Sequence, residues 1–263
     1  MSTSIDIGLS EVVAALALVA VAVAISAWRH ADLERDIGIA VVRSFVQLTA
    51  IGYVIELIFN QDNLAFVFVL LAVMVGFGAL TARARARNVP GALPVLVIAL
   101  SLAAAGTLGM VVALGIFEPE ARYLVPVGGM VIGNAMTASA VALNRLGDEF
   151  ADSPGRIEAA LALGSTSREA ALPVVQRALR SGTITLVDST KTTGLIFFPG
   201  TMVGMLLAGA APIDAVRLQL ILLYVLLGSV AISALVATSL AYRGFFTPAH
   251  QLREPQGPRA AGS

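Results

Sequence analysis

Residues 64–81, LAFVFVLLAVMVGFGALT, are eighteen consecutive residues without a charged side chain. At about 1.5 Å of rise per residue, a helix of this length comes close to crossing the hydrocarbon core of a bilayer. The run is continuous, whereas a strand of a membrane β-barrel alternates apolar and polar residues over about ten positions. The stretch therefore predicts a transmembrane α-helix.

The composition of the whole chain supports the same fold class. Of 263 residues, 57% are hydrophobic and only 13% are charged, about half the charged fraction of a soluble domain. Basic and acidic residues balance at 17 each, which excludes a strongly basic nucleic-acid binder, and we expect no nucleic-acid partner. The chain has no cysteine, which excludes disulfides, thiolate metal sites and cysteine nucleophiles.

Apolar stretches of similar length recur along the chain. We expect transmembrane spans near 8–27, 37–59, 64–81, 93–115, 122–143, 184–209 and 216–241. They form one transmembrane domain over 1–245, which a long polar segment interrupts at 144–183. The last residues, 246–263, are rich in Pro, Gly and Arg and are expected to be a disordered tail. The predicted fold is an all-α integral membrane protein, a bundle of about seven transmembrane helices.

Arginine residues are unevenly distributed between the two sets of loops. Most lie in 28–36, 82–92, 144–183 and the tail, while the opposite loops hold only Arg122 and Arg217. Cytoplasmic loops carry the excess of Lys and Arg, so we expect the N-terminus outside and the C-terminus in the cytoplasm. An odd number of spans agrees with this orientation.

The polar segment contains a predicted helix–turn–helix over 153–181. Ser153 and Pro154 are typical of a helix start, and Gly164 can end that helix in the left-handed conformation. Thr166 and Glu169 then have the spacing of a capping box that begins a second helix. We call residues 153–181 the elbow, and on composition alone it could simply link two spans.

The order of residues in the elbow favours a further role. Glu158-Ala159-Ala160, then Gly164 and then Leu172-Pro173, resembles the EAA loop of ATP-binding-cassette permeases. In those proteins the short helix of the loop sits in a groove on the ATPase and transmits its motion. The resemblance implies that the ATPase-coupling residues are Glu158, Ala159, Ala160, Leu161 and Gly164.

Two longer motifs flank the elbow. The first is GGMVIGNAMT, residues 128–137, which continues to ALNRL at 142–146. The second is KTTGL at 191–195, followed by PGTM at 199–202 and LAGAAP at 207–212. With the elbow between them, these motifs resemble the Fet-type iron-export permeases of bacteria, a family that includes plant aluminium-tolerance membrane proteins. The resemblance extends over about residues 35 to 245.

The resemblance implies a permease half-transporter in the inner (plasma) membrane. Two copies form a homodimer and bind a separate cytoplasmic ATP-binding-cassette ATPase, with ATP and Mg on that partner and no cofactor on this chain. The implied cargo is iron, another metal or a metal chelate, with an organic molecule such as a nucleotide sugar as the alternative. The chain itself is expected not to be an enzyme: Ser189-Thr190-Lys191-Thr192 lacks the glycine that precedes the lysine of a phosphate-binding loop.

Polar side chains inside the spans are candidates for a transport pathway, because they are costly in hydrocarbon. Glu56 lies near the outer end of the second span, where it is either an interfacial carboxylate or a pathway group. Asp188 and Lys191 are three residues apart on the sixth span, so they form either a structural pair or a gate. The further pathway candidates are Met130, Asn134, Thr137 and Met202.

Glycine residues at four-residue spacing are expected to let helices approach closely, within the bundle or across a dimer. They are Gly129, Gly133, Gly200 and Gly204. No metal site within a single chain is predicted, since both histidines, His30 and His250, lie outside the spans and methionine is usually apolar filler. A site shared between two copies across a two-fold axis, which doubles the oxygen ligands, stays open.

Two other classes of function remain open at this point. A secondary transporter would use Glu56, Asp188 and Lys191 as relay groups and would work without an ATPase. A membrane enzyme or assembly scaffold would need a catalytic cluster at the membrane surface, and the sequence offers no Ser/His or His/Asp/Glu constellation of that kind.

Overall fold

The computed structural model describes residues 8–29, 33–59, 63–86 and 88–253, and these are almost entirely helical. Beyond the helices, the only extended pairings within these residues are two isolated bridges, Thr193–Phe197 and Phe246–Leu252. The α-helices are α1 (Leu9–Arg29), α2 (Glu34–Phe59), α3 (Leu64–Arg85), α4 (Ala92–Ala113), α5 (Ala121–Asp152), α6 (Pro154–Ala162), α7 (Ser167–Thr192), α8 (Gly200–Leu207) and α9 (Pro212–Ala241). A 3₁₀-helix, Tyr242–Phe245, follows α9.

Six of these helices, α1 to α5 and α9, are long and apolar enough to cross a membrane. They coincide with six of the seven predicted spans, so the prediction of an all-α integral membrane protein is confirmed. The orientation of the two termini stays a prediction.

The remaining predicted span, 184–209, is not one helix. α7 ends at Thr192, and seven residues of non-helical chain separate it from α8, which begins at Gly200. Gly194 has a left-handed φ of 86° and its N–H donates to the carbonyl of Phe197 at 2.9 Å, which closes a tight turn. Hydropathy alone predicted a continuous span, because the residues of the turn are also apolar: Leu195, Ile196, Phe197 and Phe198.

The chain divides into two compact units. The first contains α1, α2, α8 and the first turn of α9 up to Ala215, and the second contains α3 to α7, the rest of α9 and the 3₁₀-helix. In the first unit the hydroxyl of Ser26 donates to Glu34 at 2.8 Å and accepts from the N–H of Leu33 at 3.1 Å, which ties α1 to the start of α2. Most apolar side chains of α1 and α2 are exposed, as lipid-facing side chains are.

Helix α5 is the centre of the second unit and packs against α3, α4 and α7. The core around it consists of fully buried leucines, among them Leu100, Leu143 and Leu146, together with many buried alanines. Small residues let membrane helices approach closely, which replaces the hydrophobic drive that water would supply. The hydroxyl of Ser233 on α9 also donates to the carbonyl of Ala135 on α5 at 3.4 Å.

α5 and α7 approach closely enough to exclude a side chain at Gly182. A Cβ atom at Gly182 would lie 2.6 Å from the carbonyl oxygen of Ala138 and 2.7 Å from the Cβ of Ala142. Real Cβ atoms do not approach a backbone that closely, so only glycine fits at position 182. This contact fixes α7 beside the part of α5 that we predicted to lie within the membrane.

The chain after α9 is folded further than predicted. We expected a disordered tail from residue 246, but Phe246 is buried, and the N–H of Arg253 donates to the carbonyl of Phe245 at 2.8 Å. The ring of Phe245 stacks on Phe150 of α5 with a centroid distance of 4.1 Å, and Phe246 meets Phe150 edge-on. Sequence composition missed these aromatic contacts, and 254–263 lies outside the described residues.

Candidate functional site

The elbow has the predicted helix–turn–helix structure. Thr166 caps α7: its hydroxyl oxygen accepts from the N–H of Glu169 at 3.2 Å, and the Glu169 carboxylate accepts from the N–H of Thr166 at 2.8 Å. The Thr166 hydroxyl also donates to this carboxylate at 2.8 Å, and the hydrogen bonds that the carboxylate accepts, from the Thr166 backbone first and then from its hydroxyl, hold the pKa of Glu169 below its usual value. The predicted capping box is therefore confirmed. Ser153 precedes α6 but makes no side-chain capping hydrogen bond, and Pro154 begins the helix.

The end of α6 is closed by backbone hydrogen bonds. The N–H of Gly164 donates to the carbonyl of Leu161 at 3.0 Å, and the N–H of Ser165 donates to that of Ala160 at 3.0 Å. Gly164 has φ +91°, the left-handed conformation that glycine adopts without strain. The turn predicted at Gly164 is present, and it reverses the chain from α6 into α7.

Helix α6 has one anchoring residue and an outward face. Ile157 is 1% exposed and fixes the helix to the rest of the second unit. Of the predicted coupling residues, Glu158, Ala159 and Gly164 are exposed, while Ala160 and Leu161 are half-buried. Leu163, which the sequence analysis did not single out, is 88% exposed at the tip. The exposure of Leu163 could not be predicted from the sequence, because an apolar residue at the end of a short helix is usually expected to be buried.

A buried carboxylate joins the two helices on either side of α6. Glu149 of α5, with 9% of its side chain exposed, accepts from Arg145 at 2.6 Å and from Arg177 of α7 at 2.6 and 2.8 Å. The guanidinium of Arg177 and then that of Arg145 hold the pKa of Glu149 below its usual value, against the opposing effect of burial. We call these three residues the Glu149 cluster. The Arg145–Glu149 spacing was visible in the sequence, but the partner 28 residues further on was not.

We expect the Glu149 cluster to make stability pH-dependent. Because folding lowers the pKa of Glu149 below its ordinary value of 4.5, its contribution to stability is complete above about pH 4.5 and is lost as the pH falls through the folded-state pKa. Glu149→Gln should cost about 2 kcal/mol at pH 7 and flatten this acid dependence. Thermal unfolding in detergent, measured between pH 7 and pH 3 by circular dichroism, tests both the loss of stability at pH 7 and the weaker dependence on acid.

The matched control for that measurement is Asp148→Asn. Asp148 is the adjacent carboxylate and contacts only Asn144, at 3.3 Å, among the residues that the structure describes. An acid profile that changes as much in Asp148→Asn as in Glu149→Gln would contradict the role given to the cluster.

The pathway candidates on α5 bond to their own helix. The side-chain N–H of Asn134 donates to the carbonyl of Met130 at 2.9 Å, and the hydroxyl of Thr137 donates to that of Gly133 at 3.1 Å. The carbonyl oxygen of the Asn134 side chain accepts no hydrogen bond from the described residues. Asn134 is half-buried and Thr137 is exposed, so both can offer an acceptor oxygen away from α5.

The predicted intrahelical pair on α7 is present. The Nζ of Lys191 donates to Asp188 at 2.9 Å, and both side chains are more than half exposed. Thr190 and Thr192 donate to carbonyls of the same helix at 2.7 and 3.1 Å. The last two turns of α7 are therefore polar and incompletely covered by the second unit.

The remaining predicted site residues are two pathway candidates and four packing glycines. Glu56 on α2 is exposed and Met202 on α8 is buried, both in the first unit. Of the four predicted packing glycines, only Gly129 is tightly placed, with Met74 of α3 3.1 Å from where its Cβ would be. A Cβ at Gly133, Gly200 or Gly204 would meet nothing within 4 Å. A dimer contact at these three positions stays a prediction.

Among the described residues there is no group of three or more His, Cys, Asp or Glu side chains that could hold a metal ion.

Comparison with known sequences identifies the family. The model of an uncharacterised protein family, UPF0014, matches residues 9–246. This chain belongs to UPF0014. The match spans all nine helices described above, and it confirms the family resemblance seen in the motifs at 128–146 and 191–212.

Curated relatives within UPF0014 come from plants and bacteria. Protein ALUMINUM SENSITIVE 3 of Arabidopsis thaliana is 38% identical over 94% of this chain and 90% of its own length. The UPF0014 membrane protein STAR2 of Oryza sativa is 37% identical over 94% and 87%. The probable iron export permease protein FetB of Escherichia coli is 33% identical over 90% and 92%. No solved structure matches the chain.

Proposed function

We propose that this UPF0014 chain is the membrane permease subunit of an ATP-binding-cassette exporter, and that a separate ATPase docks on α6. The observation that carries the proposal is the exposed tip of a short, firmly anchored helix. Ile157 is buried at its base, while Glu158, Ala159 and Leu163 face outward. An apolar side chain that projects from a short helix can serve as the anchor that a hydrophobic groove on a partner buries.

The contacts behind α6 support a role in transmitting motion. α6 packs on α7, and the Glu149 cluster joins α7 to α5 with charge-assisted hydrogen bonds. At Gly182 the same two helices are in backbone contact. A displacement of α6 therefore moves α5 and α7 together, since packed helices shift as rigid bodies.

The pathway we propose runs along α5 and α7. Asp188 and Lys191 lie six and nine residues beyond Gly182, which is about 9–14 Å further along α7 from its contact with Ala138. Immediately after them the helix is interrupted at 193–199. Charged side chains and non-helical backbone at membrane depth need protein or water around them. We therefore place the aqueous pathway beside this end of α7, completed by a second copy of the chain.

The substrate we propose is iron, another metal or a metal complex. The support is the printed name of the Escherichia coli relative, a probable iron export permease, and that of the Arabidopsis relative, ALUMINUM SENSITIVE 3. A nucleotide sugar is the alternative substrate, and the assay of ATP turnover described below distinguishes it from the metals. Transport in this scheme is differential binding between two conformations, with ATP and Mg bound by the partner subunit.

The deciding experiment reconstitutes the chain in liposomes with the ATPase encoded beside it. ATP turnover is measured with free metal, metal chelate or nucleotide sugar present, and export of the stimulating compound is then followed. We expect one of these to raise turnover only when both subunits are present. Transport by this chain alone, driven by an ion gradient, would overturn the proposal and favour a secondary transporter.

A variant of the turn tests coupling in the same assay. In Gly164→Val the β-branched residue is strained at φ +91°, so the α6–α7 turn should reorganise and substrate-stimulated turnover should fall at least fivefold. Gly155→Val, at an exposed position on α6 where a Cβ meets nothing within 4 Å, is the control. Normal stimulation in Gly164→Val would contradict a coupling role for the turn.

A variant of α5 tests the pathway. Asn134→Leu removes the side-chain acceptor oxygen, and we expect the transport rate to fall about fivefold while the amount of protein in the membrane is unchanged. Asn144→Leu, at an exposed position on the same helix, is the control. An unchanged transport rate in Asn134→Leu would assign Asn134 to helix packing.

A further inference from the structure

A groove opens where the chain passes from α3 to α4. Its volume is about 740 Å³, within the range of roughly 300–1,000 Å³ that is usual for small-molecule sites. The floor is apolar and buried, formed by Ala86, Val89 and Ala92, and the rim carries Leu80, Leu93 and Pro94. Arg83 is the charged residue that lines it.

The groove lies at a boundary of the membrane. α3 and α4 are both long and apolar enough to cross a bilayer, and only residues 86–91 connect them. A connection this short between two spanning helices has to lie where hydrocarbon meets the polar headgroups. The apolar rim on α3 and α4 therefore faces acyl chains, while Arg83, in the last turn of α3, is at headgroup level.

The segment that forms the groove carries positive charge and no acidic residue. Between residues 63 and 117 the sequence contains three arginines, Arg83, Arg85 and Arg87, and no Asp or Glu. Among the described residues, no salt bridge involves Arg83 or Arg85, whereas Arg145 and Arg177 both have a carboxylate partner. The described part of the chain therefore leaves a positive charge beside an apolar groove and supplies no carboxylate partner for it.

The groove is held in shape by the rest of the second unit. Asn88 packs on α5, with its Cβ 3.1 Å from where a Cβ of Gly147 would be. Pro90 packs on the C-terminal 3₁₀-helix, its carbonyl oxygen 3.2 Å from where a Cβ of Gly244 would be. The connection is fixed at both points, so the site exists before any ligand binds.

We infer that this groove binds an anionic phospholipid, with the phosphate of the headgroup at Arg83 and an acyl chain along Leu80, Leu93 and Pro94. The combination of a single guanidinium with an apolar rim at headgroup depth matches an amphipathic anion and not a small polar one. The inference does not depend on the proposed transport function.

The test measures lipid binding to the purified full-length chain in a neutral detergent by native mass spectrometry. Phosphatidylglycerol and phosphatidylcholine with identical acyl chains are titrated separately, and inorganic phosphate is added as a competitor. We expect phosphatidylglycerol to bind at least fivefold more tightly than phosphatidylcholine. Arg83→Gln should remove this preference, and Ala84→Trp, which fills the groove but keeps Arg83, should abolish binding of both lipids.

The matched control is Arg180→Gln, an exposed arginine on α7 outside the groove, which should bind both lipids as the wild type does. An equal loss of preference in Arg180→Gln would overturn the inference in favour of general electrostatic attraction. Normal binding in Ala84→Trp would show that the groove is not the site. Displacement of the lipid by millimolar inorganic phosphate would assign the site to a soluble anion and would also overturn it.

Discussion

Gly182→Ala is expected to destabilise the chain by about 3 kcal/mol, at the upper end of the cost of overpacking a core. The added methyl group would lie 2.6 Å from the carbonyl oxygen of Ala138 and 2.7 Å from the Cβ of Ala142. Neither neighbour can turn aside as a flexible side chain would, since one is backbone and the other is attached directly to it. α5 and α7 must move apart along their whole contact.

The measurement is thermal unfolding of the detergent-solubilised chain, followed by far-ultraviolet circular dichroism and by recovery of a monodisperse protein. The control is Gly109→Ala on α4, where a Cβ would meet nothing within 4 Å. That variant should unfold like the wild type or be more stable by up to about 1 kcal/mol, because alanine restricts the unfolded chain. Equal stability of Gly182→Ala and Gly109→Ala would contradict the close contact.

The fold class was predictable because a membrane helix can be recognised from one continuous apolar stretch of sequence. A run such as 64–81 has one stable solution in a bilayer, since its backbone can be satisfied only within a helix or a closed barrel. The interruption at 193–199 was not predictable in the same way. Hydropathy reports how apolar a residue is and says nothing about its φ, and the turn at Gly194 is surrounded by leucine, isoleucine and phenylalanine.

In the candidate site too, features made by neighbouring residues were predictable and features made by distant residues were not. The capping box of Thr166 and Glu169 and the turn at Gly164 depend on neighbours within four residues, so their spacing was sufficient to predict them. The Glu149 cluster depends on Arg177 and the folded C-terminal segment depends on Phe150 meeting Phe245. Such pairings between distant residues follow from how the helices pack, and no local spacing encodes them.

Gly182 illustrates the same limit for packing glycines. The four-residue spacing pointed to Gly129, Gly133, Gly200 and Gly204, yet only Gly129 is tightly placed within the chain. Gly182 has no glycine at that spacing and still lies directly against the backbone of α5. A helix needs a small residue only where another backbone crosses it, and the crossing point is a property of two helices.

Leu163→Glu is expected to abolish ATPase docking while leaving the permease folded. Burial of a leucine side chain in a partner groove contributes about 1.5–3 kcal/mol, and a carboxylate in the same apolar groove adds a desolvation penalty. The combined loss corresponds to docking about a hundredfold weaker or more. Leu163 is 88% exposed in the free chain. The substitution should therefore change the free energy of unfolding of the permease by no more than about 0.5 kcal/mol.

Leu114→Glu is the matched control for this docking measurement. Leu114 is also exposed and lies at the far end of α4, about 33 Å along the helix from the connection that packs on α5. Docking is measured by co-purification of the two subunits and by the concentration of ATPase that half-saturates stimulated turnover. Leu163→Glu should raise that concentration about a hundredfold or more, and Leu114→Glu should leave it unchanged. An equal half-saturating concentration in the two variants would contradict docking on α6. A carboxylate at position 163 can leave docking unchanged only if that position does not contact the ATPase.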